Sequence, residues 1–200
     1  MIFKDISQDN VSIYTLNAGE QGVFFMLNRS GDITFELQGS GAEARVFAFF
    51  IGSESEKHAL AIAQRHLAPG TTSHVLVKSI LRDAAEFSYQ GMIHIAERAT
   101  LSDASQENRN LLLSKNARAF SKPALEILTN DVRCHHAATT SPLNPETLFY
   151  AETRGLNPHQ AQELLIGGFL QSSLDTMNAF ISSQERESVV ALLKKESQPS

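Results

Sequence analysis

The stretch QGVFFMLNRSGDITFELQGSGAEARVFAFFIG, residues 21–52, decides the fold. It contains two unbroken apolar runs, Val23–Leu27 and Val46–Ile51, on either side of a segment in which Ile33, Phe35 and Leu37 alternate with polar residues. Each run is strand-length and ends at a turn former: Arg29-Ser30-Gly31-Asp32, Gly39-Ser40-Gly41 or Gly52-Ser53. Apolar runs of this length and strict alternation are both strand patterns. Punctuation every ten or so residues belongs to an all-β architecture.

The same beat extends outward. Upstream, Val11, Ile13 and Thr15 alternate ahead of Asn17-Ala18-Gly19. Downstream it continues through Val75-Leu76-Val77, Phe87-Ser88-Tyr89, Met92–Ile95, Leu111–Leu113, Leu125–Ile127 and Val132. Residues 54–67 are ambiguous, because Ala59–Ala63 fits a helix as well as a strand with Leu60 and Ile62 on one face. A closed barrel, a two-sheet sandwich and a parallel β-helix all accommodate such strands. The reading is a mainly β core over residues 1–141 and a helical region over 142–200.

Near Ser141-Pro142 the period changes. Asn144-Pro145-Glu146-Thr147 places an N-cap before a proline at the first helical position, and Gly155 supplies a stop. Asn157-Pro158-His159-Gln160 repeats the start signal, with Gln160 as capping-box partner. The second helix is expected to bury Ala161, Leu164, Leu165, Phe169, Leu170, Leu174 and Met177. Gly167-Gly168 within it predicts a close contact or a kink. A third helix starts at Ser182 with Glu185 as box partner and buries Val189, Val190, Leu192 and Leu193, leaving Glu196–Ser200 frayed.

Composition bounds the function. The 200 residues carry 17 basic and 22 acidic side chains, one cysteine and no tryptophan. One cysteine excludes an internal disulfide framework and any all-cysteine metal site made by a single chain. It also points to the cytoplasm. The acidic balance argues against a nucleic-acid binder, and no segment is apolar for the ~18 residues that a membrane span needs. Glycine-rich phosphate loops and the Gly-x-Ser-x-Gly elbow are absent from the sequence, which leaves nucleotide binding and serine-hydrolase chemistry without support.

The most reactive constellation is Cys134-His135-His136. A thiolate beside an imidazole is a nucleophile, a sulfur acceptor or a soft-metal ligand, and a neighbouring imidazole lowers a thiol pKa. Free cysteine is also among the most buried residue types, so a packing role competes. On a strand Cys134 and His136 share one face and His135 takes the other. Glu163 is an acid–base candidate or a solvated helix position. The single histidines His58, His66, His74 and His94 lack the His-x-x-x-His spacing of a zinc enzyme and read as ordinary polar positions.

Several motifs in order carry a resemblance. Gln106-Glu107-Asn108-Arg109-Asn110-Leu111-Leu112-Leu113-Ser114, Lys122-Pro123-x-Leu125-Glu126-Ile127 and Asp131-Val132-x-Cys134-x-His136 resemble the core of the SufB/SufD scaffold family of the SUF iron–sulfur cluster assembly system. Leu148-Phe149-Tyr150 with Arg154-Gly155, and His66-Leu67-Ala68-Pro69 with Thr71, Thr72, Ser73, Lys78 and Gly91, are similar to flanking parts of that family. The resemblance spans about residues 60–170 and leans toward SufD, although Ala137 stands where SufD-type sequences have glycine.

What the resemblance implies is a right-handed parallel β-helix followed by a small C-terminal helical region, in a form shorter than the family's usual members. It further implies a non-enzymatic, cytoplasmic scaffold subunit that pairs through its β-helix with a SufB-like partner or a second copy and docks a SufC-type ATPase through its helices. By position, Cys134 and His136 become the cluster-assembly residues, with His135 and Glu163 as weaker candidates. No cofactor is expected to be held stably by this chain alone. An iron–sulfur cluster would be transient and shared with a partner. The competing expectation is a divergent interaction protein that keeps the fold without cluster chemistry, and a β-helix carbohydrate enzyme is a more distant third.

Overall fold

A computed structural model describes residues 1–197. The strands are β1 (Ile2–Asp5), β2 (Ile13–Leu16), β3 (Gln21–Leu27), β4 (Gly31–Leu37), β5 (Glu43–Gly52), β6 (Lys57–His66), β7 (Thr72–Leu81), β8 (Glu86–Ile95), β9 (Ser102–Leu112), β10 (Arg118–Ile127) and β11 (Val132–Pro142). The helices are α1 (Pro145–Thr153), α2 (Pro158–Met177) and α3 (Ser183–Ser197). Odd strands make one sheet in the order β1-β3-β5-β7-β9-β11, and even strands make a second in the order β10-β8-β6-β4-β2. Every pairing is parallel. Each coil of chain therefore adds one strand to each sheet, and the product is a parallel β-helix with a lumen between two faces.

The register keeps equivalent positions stacked. Phe24, Val46, Val75, Gln106 and His136 form one lateral row, and Gly22, Ala44, Ser73, Ala104 and Cys134 the row beside it. Both rows face the lumen. The ambiguous segment 57–66 is a strand because Leu60, Ile62, Gln64 and His66 fill this lumen, an alternation that a helix would break.

The corners repeat a backbone device. Gly19, Gly41 and Gly70 adopt φ of 70, 70 and 64° at successive turns from an even strand to the next odd one. The N–H of each donates to the coil above: to Ser40 O (3.0 Å), Pro69 O (3.4 Å) and Thr100 O (2.8 Å). At the next such corner the same job falls to Leu101, φ 59°, whose N–H meets Asp131 O at 2.6 Å. A leucine in this left-handed region is strained where glycine is not.

In the first coils the lumen is aromatic. Tyr14, Phe24 and Phe35 pack with ring centres 4.9–5.4 Å apart, and Phe50 stacks on Phe87 at 4.4 Å. Toward the last coils it becomes polar, with Gln64, His66, Ser73, Ser79, Gln106, Asn108 and Asn110 all buried. Gly91 lacks a side chain because the Gln106 carboxamide lies where its Cβ would be.

The outer face of the odd-numbered sheet is covered. Val23, Phe25, Leu27, Phe47, Phe49, Ile51, Ile80 and Leu111 form one apolar cluster with Ile166, Leu170, Leu174 and Met177 of α2 and Val189 and Leu193 of α3. This explains the unbroken runs 23–27 and 46–51, which are buried on both faces. Asn144 caps α1, Asn157 and Gln160 form a capping box on α2, and Ser182 accepts from Glu185 N ahead of α3.

Three expectations for the helices fail in detail. The buried stripe of α2 is Ala161, Ile166, Leu170, Ser173, Leu174 and Met177, and Leu164 is exposed, because docking on a broad sheet selects a rotated face. Gly167 and Gly168 make no close contact, for nothing lies within 4 Å of a Cβ at either position, and α2 runs unbroken through them. Leu192 of α3 is exposed, and the helix continues to Ser197 rather than fraying at Glu196; the remainder of that expectation, residues 198–200, lies outside the described residues.

Strand β10 has one free edge. The N–H groups of Arg118 and Leu128 donate toward β8, to Ala85 O and Ile95 O, so alternation directs the odd-numbered positions, Pro123 among them, outward.

Replacing Leu101 with glycine relieves the corner. The Leu101→Gly protein is expected to gain about 1 kcal/mol in urea unfolding, the scale of left-handed strain in a leucine less the added chain entropy of glycine. A loss of stability would show that the corner is not strained.

Candidate functional site

The sequence candidates Cys134, His135 and His136 all lie on β11, the last strand of its sheet, which pairs with β9 on one side only. Alternation divides them as expected from a strand. Cys134 and His136 take the lumen face, opposite Ala104 and Gln106, and His135 takes the outer face opposite Ser105. His135 lines a cleft of ~330 Å³ with Arg45, His74, Glu107 and Thr176. There His74 Nδ1 is hydrogen-bonded to Ser105 Oγ at 2.5 Å.

Cys134 is half-buried and packs against Ile93, Ile95, Ala99 and Ala104, whereas His136 is exposed at the open end. Burial pushes the Cys134 thiol pKa up, and the negative charge of Asp103 adds to it. The lowering that an adjacent imidazole would produce is not realised, since a histidine at i+1 faces away and the one at i+2 points into solvent. Cys134 is thus a thiol at neutral pH in the isolated chain.

Glu163 is remote from β11. It lies on α2, 3.8 Å from Arg82, and serves the seam between helix and sheet. Glu126, near Cys134 in sequence, is on the outer face of β10 and binds His94 Nδ1 at 2.8 Å. Arg109 lies within β9, paired with Glu107 at 2.5 Å. Among the described residues no three His, Cys, Asp or Glu side chains are arranged to hold a metal ion.

Behind the lumen mouth stands a polar network that the reading of single histidines missed. Ser73 Oγ donates to Gln64 Oε1 (2.6 Å), so it accepts from His66 Nε2–H (2.7 Å). His66 Nδ1 is hydrogen-bonded with the Thr71 hydroxyl (2.7 Å), which also pairs with Ser102 Oγ (2.8 Å) and reaches the Ala68 carbonyl (3.1 Å). Gln64 Nε2 reaches Gln106 Oε1 at 3.4 Å. A second knot joins three strands: Asn110 bonds Asn108 (2.9 Å) and Thr140 of β11 (3.0 Å), and Ser121 of β10 donates to Asn108. The signal was present as Gln106, Asn108 and Asn110 at period two. It becomes legible only once the register puts that face inside.

Burial lowers the His66 pKa from 6.5 to about 4. A lowered histidine pKa means that the unfolded chain binds the extra proton, so stability is complete above pH 6.5 and falls as pH drops toward 4. The loss attributable to His66 is about 3 kcal/mol over that window. Urea midpoints for wild type and His66→Gln are expected to converge as pH falls. Parallel curves would remove His66 as the cause. Because Cys134 is the single thiol, iodoacetamide reports it alone, and its alkylation is expected to rise with pH at a midpoint above that of a free cysteine. A midpoint below it would contradict the burial.

The comparisons with known proteins follow this geometry. A family model described as "SUF system FeS cluster assembly, SufBD core domain" matches residues 7–169. A SufBD family protein of Synechocystis is 40% identical over 114 residues, covering 57% of this chain and 25% of that protein. The Escherichia coli iron–sulfur cluster assembly protein SufD is 38% identical over 97 residues, 48% of this chain and 23% of SufD. SufB of Bacillus subtilis is 27% identical over 135 residues, 68% of this chain and 29% of SufB. The chain spans between a fifth and a third of the length of these relatives. With a parallel β-helix in place and the core-domain match running over most of its length, the chain belongs to the SufB/SufD family of the SUF iron–sulfur cluster assembly system.

Proposed function

We propose that this chain is a non-enzymatic scaffold subunit of iron–sulfur cluster assembly, of the SufD type. The observation that carries this reading is the placement of Cys134 and His136 on the lumen face of β11, at an end of the β-helix where both β10 and β11 have an unpaired edge. An unpaired parallel edge invites a further strand. Pairing there with a SufB-like partner, or with a second copy, would cover the mouth and bring the partner's ligands to the same space. The cluster is cargo: a single thiol supplies one of the thiolates that a cluster needs, and the partner supplies the others. The helices, with Phe149, Tyr150 and Leu164 exposed, would offer the docking face for a SufC-type ATPase. Among the described residues no helix is long and apolar enough to cross a membrane.

One observation favours the second reading, an interaction protein that keeps the fold without cluster chemistry: burial holds the Cys134 thiol protonated. Covering the mouth changes that environment, so the two readings part in the complex. The test is co-purification of the chain with a SufB-like and a SufC-type protein, followed by anaerobic loading with ferrous iron and sulfide. Wild-type complex is expected to load, and complex carrying Cys134→Ser with His136→Ala to fall to the level reached without this chain. Equal loading above that level would remove Cys134 and His136 as the site and leave the scaffold role, whereas wild-type loading no higher than without this chain would select the interaction protein. Failure of the wild type to associate with either partner would overturn the scaffold role.

A further inference from the structure

Lys78 stands on β7, on the outer face of the sheet that α2 covers, and is 2% exposed. Its ammonium donates to the Phe169 carbonyl and to the Ser172 hydroxyl (2.7 Å), and lies 4.5 Å from the centre of the Phe169 ring. All three contacts come from one turn of α2. No ion pair to Lys78 exists among the described residues. Its lateral neighbours are Phe49 on β5 and Arg109 on β9, and the carboxylate near it, Glu107, is bound to Arg109. Apart from Ser173 the centre of the seam is apolar, and its other polar contacts lie at the rim.

Such a charge is out of place. A buried ammonium without a counter-ion is less favourable than an apolar side chain of the same shape, because two neutral acceptors and a ring replace less than its lost hydration. The same turn carries two more weak points. Gly167 and Gly168 precede Phe169 on the solvent side and lower its helix propensity. Ser173, fully buried beside the sheet, has an Oγ with no hydrogen-bond partner among the described residues. The lysine and the serine are relieved when the helix leaves the sheet, and the glycines make this turn the easiest place for the helix to give way.

We propose that Lys78 and the Gly167–Ser173 turn form a release latch, by which α2, carrying α3 with it, is poised to lift from the sheet while the β-helix remains folded. The periphery of the seam supports a unit held lightly at its rim. Arg82 meets Ser197 O at 2.8 Å and Glu163 at 3.8 Å, and Asn28 meets Glu196 at 3.4 Å, all at exposed or half-buried positions. Lifting hydrates Lys78 and uncovers Phe25, Phe47 and Phe49. The inference concerns the isolated chain and stands whether or not an ATPase docks on the helices.

A latch of this kind has an unusual sign with pH. Burial, with Arg109 beside it, lowers the Lys78 pKa from 10.5 to about 8, and Glu107 opposes the shift. Above pH 8 the docked lysine sheds its proton before a hydrated one does, so docking tightens as pH rises toward 10.5. A salt-bridged lysine would loosen.

The test is amide hydrogen exchange by mass spectrometry on the full chain, with protection referenced to unstructured peptide at each pH. Wild-type α2 and α3 are expected to open while β3–β9 stay protected. Lys78→Met should raise protection of α2 and α3 by at least about fivefold, the low end of the stabilisation seen when buried charges are replaced by apolar side chains. Raising the pH from 7 to 9 should raise it in wild type and not in Lys78→Met. Lower or unchanged protection in Lys78→Met would make the lysine a pin rather than a latch and overturn the proposal, as would helices that exchange only together with the strands. Should Lys78→Met fail to fold, Ser172→Ala removes an acceptor at an exposed position and is expected to reduce protection of α2 and α3. No change there would count against the latch.

Discussion

The structure depends on one constraint: parallel strands stacked in register put each side chain directly beside its equivalents in the coils before and after. A lumen position is therefore packed along the sheet as well as across it, and a change in one coil is felt in the next two. The row Phe24, Val46, Val75, Gln106, His136 shows how this is used. It begins aromatic, passes through β-branched residues, turns to a carboxamide and ends in an imidazole at the open end. The gradient runs along the axis, so the first coils supply hydrophobic burial and the last ones replace it with hydrogen bonds. Gly91 follows from the same constraint, since one coil must yield the space that Gln106 of the next coil fills.

Much of this was legible in the residues. Period-two alternation, the apolar runs 23–27 and 46–51 and regular turns gave the strands; that those two runs are covered on both faces emerged only with the helices in place. Capping residues located the helices to within a residue or two. What periodicity could not supply was the choice among β architectures, because a barrel, a sandwich and a solenoid share the same local pattern. The family resemblance made that choice. The α2 stripe was misjudged because a helix on a flat sheet buries a face set by the sheet's relief, here Phe47, Phe49 and Ile80, which a helical wheel does not contain.

The candidate site was half legible. Strand alternation correctly separated Cys134 and His136 from His135, a purely local inference. The protonation of Cys134 was not accessible in that way, because it is set by Ile93, Ile95 and Asp103, which lie 31 to 41 positions away in sequence and arrive through the register. His66 was passed over for the same reason. An isolated histidine carries no motif, and only the stacking of Ser73, Thr71 and Ser102 around it makes it the centre of a network.

The two edges at the open end differ in what they offer a further strand. Along β10 the outward N–H groups come from the odd-numbered positions, and Pro123 removes one of them midway, whereas β11 has no proline between Val132 and Ser141. A strand added to β11 meets an unbroken row of donors, and one added to β10 must skip a rung. The proline thus biases any extension of the β-helix at this end toward the side that carries Cys134 and His136.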